Sequence, residues 1–418
     1  MSERIIKDFT LGDIESGETV VIFGAGDVAQ LTYFALTSVG VDVAFFCDPI
    51  LAGDAQDAHT IENAIAHHGV PIITSADLER LDPQSTCVFD AWDQRRYARQ
   101  PKLLERFSRV FVSAALLQSM DLDEADVEVS RQERELRVSH YTSQCRALVL
   151  RSAPGALRLR SLDVVVTEAC TMRCVDCSNL MQYYVHPRHS DLQELHTALY
   201  HLLAAVDGVD EFRVLGGEPF ANPKVGQIVN KLTSIEDADR VVIYTNATII
   251  PRGEVLSSLQ HPKVIVTITN YGDLSKRHDE LCEVLSKHEV NWLSQKPTWT
   301  DSGRIDQVER TPDELQRVFE DCCVNNLVTL LNGRLYLCPF SANAMNLSAV
   351  PNAPEDVIDL REDRPAEELR AMVSKLYGRT HPLTACSFCR GRDHTSPVIE
   401  PAIQVRRPLP LTVLSSGV

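Results

Sequence analysis

The segment Leu162-Asp-Val-Val-Val-Thr167 is typical of a buried strand, and Cys170-Thr-Met-Arg-Cys174-Val-Asp-Cys177 follows it after two residues. The three cysteines lie within eight residues, so one short loop can wrap three thiolates around a single inorganic centre. Structural zinc takes four ligands, and the nearest further candidates are His186 and His189. An iron–sulfur cluster held by only three thiolates leaves one iron open, and an open iron can chelate a substrate's amine and carboxylate.

The composition of the whole chain argues against several classes of protein. Its 418 residues allow roughly two to four domains of ~150 residues. With 41 Lys and Arg against 58 Asp and Glu, the formal net charge is −17, which argues against a nucleic-acid or anionic-membrane partner. No apolar run reaches membrane-spanning length and Met1–Thr10 lacks a signal-peptide core, so we expect a cytoplasmic protein. In that compartment, 12 cysteines indicate metal binding or catalysis rather than disulfides.

A second motif, Leu215-Gly-Gly-Glu-Pro219, ends a strand predicted at 212–215. Glycines there let the backbone approach a ligand closely, and Glu218 offers a carboxylate. Thr245 and Asn246 end the next predicted strand, which begins at Val241. All of these features lie at the carboxyl ends of strands, where open α/β and barrel folds place their sites.

In this order, the three-cysteine loop, the Gly-Gly-Glu-Pro motif and the polar pair resemble the radical S-adenosylmethionine (radical SAM) superfamily over about residues 160–390. The resemblance implies a 4Fe–4S cluster on Cys170, Cys174 and Cys177, whose open iron holds SAM by its methionine amino and carboxylate groups. Reductive cleavage of SAM then gives a 5′-deoxyadenosyl radical that abstracts hydrogen from the substrate. SAM-binding roles are implied for Gly216, Gly217, Glu218, Pro219, Thr245 and Asn246. One departure is Asp176, where the family often has an aromatic residue.

A second group of cysteines lies near the end of the chain: Cys322, Cys323, Cys338, Cys386 and Cys389. An Asn332-Gly333 turn predicts a β-hairpin whose second strand, Arg334–Cys338, carries one of them. This arrangement resembles the auxiliary-cluster extension called a twitch domain; the longer SPASM domain needs further cysteines after Cys389. The resemblance implies a second 4Fe–4S cluster, saturated by four protein thiolates. A zinc site is the alternative on ligand count alone.

The adjacent pair Cys322-Cys323 bears on the reaction type. We predict Cys323 as the cluster ligand, because it lies closer to the hairpin strand that returns to Cys338. In an extended segment Cys322 then faces the other way, and it is predicted as the catalytic thiol that gives a hydrogen atom to a carbon radical, as an epimerase requires. Ordinary buried packing is the alternative. Weaker donor candidates are Cys47, Cys87, Cys145 and Cys282.

The first hundred residues predict a separate α/β unit. Gly24-x-Gly26-x-x-Ala29 joins a strand at 20–23 to a helix, and Asp48 ends a second strand predicted at 41–47. The pattern fits a dinucleotide-type site, with the helix start near a phosphate and the acidic residue near a ribose hydroxyl. The unit also resembles the Rossmann-like domain of nucleotide-sugar acyltransferases. A scaffold that binds nothing and docks to the catalytic core is the alternative.

Together these features predict an α/β protein: a partial (β/α) barrel radical SAM core with an N-terminal Rossmann-like domain and a small C-terminal twitch lobe. The predicted segments are a Rossmann-like domain at 1–118, a helical connector at 119–160, the barrel at 161–310, the twitch domain at 311–396 and an extended, loose tail at 397–418.

The resemblance extends to twitch enzymes that dehydrogenate or epimerise sugars and aminocyclitols in antibiotic pathways. It implies abstraction of hydrogen from a carbinol C–H of a saccharide, nucleotide sugar or cyclitol, with epimerisation preferred to dehydrogenation. An external one-electron reductant, such as flavodoxin or ferredoxin, is the implied partner. The alternatives are a radical SAM enzyme that modifies ribosomal peptides and an iron–sulfur scaffold without catalysis. Further candidates for a polar substrate pocket are Tyr183, Tyr184, Asn270-Tyr271-Gly272 and Trp299-Thr300-Asp301.

Overall fold

The computed structural model of the protein describes residues 7–24, 26–48, 66–91, 104, 106–121, 131, 134–139, 141–142, 145, 155–322, 327–392 and 396–412. The chain divides into two compact units, Met1–Ala156 and Leu157–Val418. Much of the predicted helical connector at 119–160 lies outside the described residues. In the described part of the chain, no helix combines the length and the apolar character needed to cross a bilayer.

The N-terminal unit is built on a mostly parallel sheet. Its strands are β1 (Lys7–Asp8), β2 (Thr19–Phe23), β3 (Phe45–Cys47), β4 (Ala66–His67), β5 (Val70–Ile73), β6 (Thr86–Asp90) and β7 (Arg109–Val112), and its helices are α1 (Asp27–Ser38), α2 (Ser75–Arg80) and α3 (Ala114–Ser119). The strand order is β1-β7-β6-β2-β3-β5-β4, and all pairings are parallel except that of β4 with β5.

The predicted strand, glycine turn, helix and strand are confirmed in this unit. Gly24 has a φ of 118°, a conformation that favours glycine, and Gly26 is the N-cap of α1. The second strand is shorter than the predicted 41–47, because the Val41 amide bonds to the Leu36 carbonyl oxygen (2.9 Å) and closes the end of α1.

The C-terminal unit carries the larger sheet. Its strands are β8 (Arg158–Thr167), β9 (Gly208–Gly216), β10 (Ala238–Thr245), β11 (Val264–Thr269), β12 (Trp292–Gln295), β13 (Trp299–Thr300), β14 (Val328–Leu331), β15 (Arg334–Tyr336), β16 (Val357–Asp359) and β17 (Val398–Ile399). Its helices are α4 (Leu192–Ala205), α5 (Val225–Thr233), α6 (Glu254–Leu259), α7 (His278–Lys287), α8 (Pro312–Asp321), α9 (Pro339–Asn346) and α10 (Ala366–Tyr377).

Strands β8 to β12 form the partial (β/α) barrel core. They lie side by side in chain order, and each pairs in parallel with the next. Alternate residues of β8, such as Leu162 and Val164, belong to the same buried core as Leu195 and Leu199 of α4. Helix α4 begins after Asp191, whose side chain accepts a hydrogen bond from the Glu194 amide (2.9 Å).

The predicted hairpin extends this same sheet. Strand β14 pairs in parallel with β8, and β15 returns antiparallel to β14. The connecting Asn332 and Gly333 have φ values of 48° and 70°, as a two-residue type I′ turn requires. The sheet therefore runs in the order β12-β11-β10-β9-β8-β14-β15-β16.

Candidate functional site

The three-cysteine loop leaves the carboxyl end of β8 and folds back on itself. The Cys177 amide bonds to the Cys174 carbonyl oxygen (3.3 Å), and the Leu180 amide bonds to that of Cys177 (2.9 Å). Burial raises the pKa of the Cys170 thiol to about 12 and that of Cys174 to about 11, and it also raises the pKa of Cys177. In the metal-free protein these thiols are therefore protonated at neutral pH, and binding of a metal centre must release their protons.

Hydrogen-bond donors surround the three sulfurs and oppose the effect of burial on their pKa. A hydrogen bond from the backbone of Met172 lowers the pKa of Cys170, and hydrogen bonds from the backbone of Met181 and Asn179 lower that of Cys177. The Gln404 amide nitrogen lies 3.1 Å from the Cys174 sulfur. Donors around sulfur stabilise thiolates that ligate an iron–sulfur cluster, so this loop suits such a cluster.

The two glycines of the second motif lie directly against the three-cysteine loop. A Cβ atom at Gly216 would lie 2.1 Å from the Thr167 carbonyl oxygen, and one at Gly217 would lie 2.0 Å from that of Ala169. The Glu218 amide bonds to the same Ala169 oxygen (2.8 Å). The sequence predicted that these glycines admit a ligand; in the structure their close approach is to the backbone that leads into Cys170.

Glu218 is fully buried and joins the ends of β9 and β10. Its carboxylate accepts hydrogen bonds from the Thr245 hydroxyl (2.8 Å), the Asn246 amide (2.8 Å) and the Phe220 amide (3.2 Å). Burial raises the pKa of Glu218 to about 7, and these donors only partly offset the rise. The structure thus brings the predicted Glu218, Thr245 and Asn246 together. The hydrogen bonds that the Glu218 carboxylate accepts all come from other residues of this chain.

Asn246 connects this group to the cysteines. Its side-chain nitrogen lies 3.2 Å from the Thr171 hydroxyl and 3.7 Å from the Cys170 sulfur. Its side-chain oxygen accepts a hydrogen bond from the Thr248 hydroxyl (2.6 Å), which fixes the amide's orientation. Asn246 therefore positions the three-cysteine loop from the end of β10.

Several of the minor candidates also lie beside the loop. The rings of Tyr271 and Trp299 meet edge to face with centroids 6.0 Å apart, and both pack against a buried group that includes Met172 and Cys174. Asp176, at the position where an aromatic residue is common, pairs with Arg304 (3.0 Å). Aromatic side chains thus pack beside the three-cysteine loop, although position 176 itself is an aspartate.

Other candidates have partners elsewhere. His189 bonds to the Thr167 hydroxyl (2.9 Å) and is exposed, as is His186. The Tyr184 hydroxyl bonds to the Asn343 side chain (2.8 Å). Because both histidines are exposed, packing does not hold either of them in place as a fourth ligand of the three-cysteine loop.

A second cavity holds four of the late cysteines. Cys322, Cys338, Cys386 and Cys389 line it together with apolar side chains that include Phe319, Phe340 and Leu383. Burial raises the pKa of Cys338 strongly, and the nearby Cys386, Cys322 and Cys389 thiols add to the rise. Cys338 is also the N-cap of α9 and its sulfur lies 3.3 Å from the Ser341 amide, an environment that stabilises a thiolate.

The two thiol sites are neighbours within this unit. Ser178, which follows Cys177, lines the second cavity, and the Arg392 guanidinium offsets part of the burial-induced rise in pKa of both Cys177 and Cys389. Within the described residues, no three cysteine, histidine or carboxylate side chains converge tightly enough for a single metal ion. A cluster binds each thiolate at a different iron and does not need that convergence.

The choice of Cys323 over Cys322 as the cluster ligand stays a prediction. Cys323, the predicted ligand, lies outside the described residues. Cys322, predicted to face away, is the C-cap of α8 and lines the cavity with the other three cysteines. Helix α8 ends at Asp321, and the backbone of Cys322 is already extended.

Sequence reasoning missed a polar group inside the barrel sheet. Asp163 of β8 and Arg213 of β9 are register partners that form an ion pair (3.2 Å), and Arg213 also lies over the Tyr244 ring (5.1 Å). In the described residues, Arg213 Nε, Thr267 Oγ1 and Ser161 Oγ are buried without hydrogen-bond partners. The available signal was a charged residue inside the apolar run 162–167.

A second missed residue is Glu168, which lies between β8 and Cys170. Its buried carboxylate accepts hydrogen bonds from the Arg188 amide (2.9 Å) and from the side chains of Asn346 (2.8 Å) and Asn332 (3.3 Å). Glu168 thereby ties the three-cysteine loop to the hairpin turn and to α9. A lone carboxylate in a loop gives no sequence signal for such a role.

Comparison with known proteins finds matches for the C-terminal unit. Residues 164–294 match the model of the radical SAM superfamily. Curated relatives include the GTP 3′,8-cyclase of Clostridium acetobutylicum, 29% identical over 96 residues, which are 22% of this chain and 28% of that protein. The GTP 3′,8-cyclase of Pelotomaculum thermopropionicum is 28% identical over 110 residues, 26% of this chain and 33% of that protein. The chain therefore spans about a third or less of the length of these relatives.

Among solved structures, BtrN in complex with AdoMet and 2-DOIA is 20% identical with a TM-score of 0.35, covering 58% of this chain and 98% of that one. Native anSMEcpe with bound AdoMet and the Cp18Cys peptide is 14% identical with a TM-score of 0.33, covering 44% and 74%. Streptococcus suis SuiB bound to S-adenosylmethionine is 14% identical with a TM-score of 0.27, covering 42% and 41%.

Proposed function

We propose, from the match of residues 164–294 to the radical SAM superfamily model, that this protein is a radical SAM enzyme acting on a carbinol C–H of a saccharide, nucleotide sugar or cyclitol. Cys170, Cys174 and Cys177 would hold a 4Fe–4S cluster. The chemistry supplied there is one-electron reductive cleavage of SAM, which gives a 5′-deoxyadenosyl radical. One observation carries the proposal: three thiols, each with its own hydrogen-bond donor, converge on one loop at the carboxyl ends of β8, β9 and β10.

The polar group inside the sheet supports a polyhydroxylated substrate. Arg213 Nε offers an unused donor, and Thr267 Oγ1 offers a hydroxyl that can donate or accept. Asp163 adds a buried carboxylate whose pKa burial raises to about 6, an effect that Arg213 partly offsets. Arg213 precedes Gly216 by three residues, about 10 Å along a strand. Hydroxyl groups of a sugar or cyclitol can satisfy such paired donors and acceptors.

For the reaction type we propose dehydrogenation, with epimerisation as the alternative. Four thiols at the second cavity, Cys322 among them, suit a saturated cluster, whose chemistry is electron transfer. A Cys322 thiolate bound to such a cluster has no hydrogen atom to give, so under this proposal it is not the hydrogen donor of an epimerase. The overall reaction balances as secondary alcohol plus SAM giving ketone, methionine, 5′-deoxyadenosine and one proton.

The test is anaerobic reconstitution with iron and sulfide, followed by quantification of 5′-deoxyadenosine after addition of SAM and a one-electron reductant. We expect reductant-dependent 5′-deoxyadenosine from the wild type and none from the Cys170, Cys174, Cys177→Ala triple variant. Equal amounts from both proteins, or none from a fully loaded wild type, would refute the proposal. With a substrate in hand, a product two mass units lighter indicates dehydrogenation, and an isomer labelled by solvent deuterium indicates epimerisation.

For the N-terminal unit we propose a Rossmann-like domain that binds a nucleotide or nucleotide sugar. Support comes from its parallel strands and from Gly26 at the start of α1, where a Cβ atom would meet nothing within 4 Å. Because this space is open, Gly26→Asp should fold normally yet weaken nucleotide binding at least tenfold by charge repulsion, as measured by calorimetry with UDP. Gly26→Ala is the matched control. Equal affinity of both variants and the wild type would favour the scaffold interpretation.

A further inference from the structure

The C-terminal strap, residues 397–409, crosses directly beside the three-cysteine loop. Strand β17 within it pairs antiparallel with β13, and the Asp301 amide bonds to the Pro397 carbonyl oxygen (2.8 Å). Further along, the Val175 amide bonds to the Ile403 oxygen (2.8 Å) and the Val405 amide to the Arg173 oxygen (2.8 Å). The tail was predicted as extended or loose; the described strap is extended, and backbone pairing on both flanks of Cys174 fixes its position.

The residue opposite Cys174 in this pairing is Gln404. Its side-chain oxygen accepts a hydrogen bond from the Arg173 backbone amide (2.8 Å), and a backbone N–H can only donate. The side-chain nitrogen must therefore be the atom that faces Cys174, 3.1 Å from the sulfur. That nitrogen also donates to the Ala402 carbonyl oxygen (2.8 Å), which locks the amide in place.

Cys174 and Ala402 beside this contact are buried, whereas Gln404 itself is exposed. Ala402 is 2% exposed and packs with Met172 and Cys174 in one buried group. Ala402 also has a φ of 58°, a backbone conformation that non-glycine residues adopt only when packing holds them there. The packing of Ala402 therefore holds the strap, and with it the Gln404 amide, against the Cys174 sulfur.

We infer that Gln404 is a positioning residue that raises the reduction potential of the cluster held by Cys170, Cys174 and Cys177. This inference rests on the proposed function. An added electron increases the negative charge on the cluster's sulfurs, so a fixed N–H donor stabilises the reduced state more than the oxidised state. Gln404 is 230 residues from Cys174 in the chain, so the strap couples the end of the chain to the electron affinity of the site.

The test is a redox titration of the reconstituted full-length protein, monitored by the electron paramagnetic resonance signal that changes on addition of SAM. Gln404→Leu keeps the backbone pairing and removes the donor. We expect its midpoint potential to fall, with reduction disfavoured by up to about tenfold, or about 59 mV for one electron. The matched control is Ile403→Ala, a neighbour that is 46% exposed, which should leave the potential unchanged.

A Gln404→Leu protein with normal iron content, a normal response to SAM and an unchanged potential would overturn this inference alone. A wild-type protein whose signal does not respond to SAM would overturn the proposed function and this inference with it. Hydrogen exchange on the metal-free protein adds a test that needs no cluster. We expect protected amides at Val175 and Val405, and exchange at the rate of an open chain would overturn the inference.

Discussion

A methyl group at Gly217 would lie 2.0 Å from the Ala169 carbonyl oxygen and 2.8 Å from the Cys170 backbone nitrogen. Both atoms belong to backbone, which cannot rotate away as a side-chain end can. We therefore expect Gly217→Ala to displace the start of the three-cysteine loop, to cost about 1–3 kcal/mol of stability and to lower the iron bound at that loop at least twofold. Iron analysis after reconstitution and thermal unfolding measure the two effects.

The control for Gly217 is Gly12→Ala, since a Cβ atom at Gly12 meets nothing within 4 Å. We expect that variant to retain wild-type iron content. If Gly217→Ala binds as much iron as Gly12→Ala, the close approach does not position the loop.

The buried carboxyl of Glu218 makes stability depend on pH. Its folded-state pKa of about 7 lies above the ordinary value of 4.5, because burial penalises the charged form. Between pH 4.5 and about pH 7 the folded protein keeps a proton on Glu218 that the unfolded chain has already released. The stability of the folded state is therefore highest below pH 4.5, and it falls as the pH rises to about 7. The loss is about 3 kcal/mol at most.

Glu218→Gln removes this titration. We expect the unfolding free energy of the variant, relative to the wild type, to increase from pH 5 to pH 8 by up to about 3 kcal/mol. Urea unfolding of the reduced, metal-free proteins measures the difference, in which other titrating groups cancel. A difference that stays constant with pH would contradict the burial of this carboxyl as a titrating group.

At the scale of residues, the sequence predicts what is local and misses what is distant. Cys170, Cys174 and Cys177 lie on one loop, so their spacing alone brings them together. Gln404 reaches Cys174 only through a pairing that no local pattern encodes. The direction of Cys322 depends on where α8 ends, and helix ends are the least predictable part of an element.

Glu168 joins three elements through one carboxylate. Its oxygens accept hydrogen bonds from the Arg188 backbone amide, from the Asn332 side chain of the hairpin turn and from the Asn346 side chain of α9. Glu168→Ala removes three hydrogen bonds that a buried carboxylate accepts, so we expect a loss of about 3 kcal/mol. Urea unfolding of the metal-free protein measures it.

The matched control is Arg188→Ala. The Arg188 side chain is 71% exposed and lies 3.9 Å from the same carboxylate, so its removal should cost less than about 1 kcal/mol. Equal losses in the two variants would show that the exposed ion pair, and not the buried hydrogen bonds, gives Glu168 its role.

At the scale of elements, short signals with a stereochemical cause are confirmed. The Asn332-Gly333 dipeptide makes the predicted hairpin turn. The pairing of β14 with β8 and that of β17 with β13 were not predicted. Both join segments that are far apart in the chain, and the apolar pattern of a strand does not specify its neighbour.

For the whole molecule we predict two clusters, about eight irons per chain. The Cys170, Cys174, Cys177→Ala variant should retain about four, held at the second cavity. Cys322→Ala should lower the iron at that cavity, because Cys322 lines it with Cys338, Cys386 and Cys389. Iron and sulfide analysis of the anaerobically reconstituted proteins measures each count.

Cys323→Ala is the matched control for Cys322→Ala. Should Cys323→Ala lose the iron while Cys322→Ala keeps it, the assignment of Cys322 to the cavity is wrong. About four irons in the fully reconstituted wild type would exclude a second 4Fe–4S cluster.

The parallel pairing of β14 with β8 has a consequence for synthesis on the ribosome. After β8 ends at Thr167, the ribosome adds 164 further residues before β14 is complete at Leu331. Until then, the edge of β8 that pairs with β14 has no hydrogen-bonding partner. At ~5–20 residues per second this takes roughly 10 to 30 s. Throughout that time an apolar strand presents unpaired amides and carbonyls, the template on which strands of other chains aggregate. We therefore expect nascent chains that stop before β14 to aggregate. We also expect the yield of full-length protein to depend on chaperones that shield this edge.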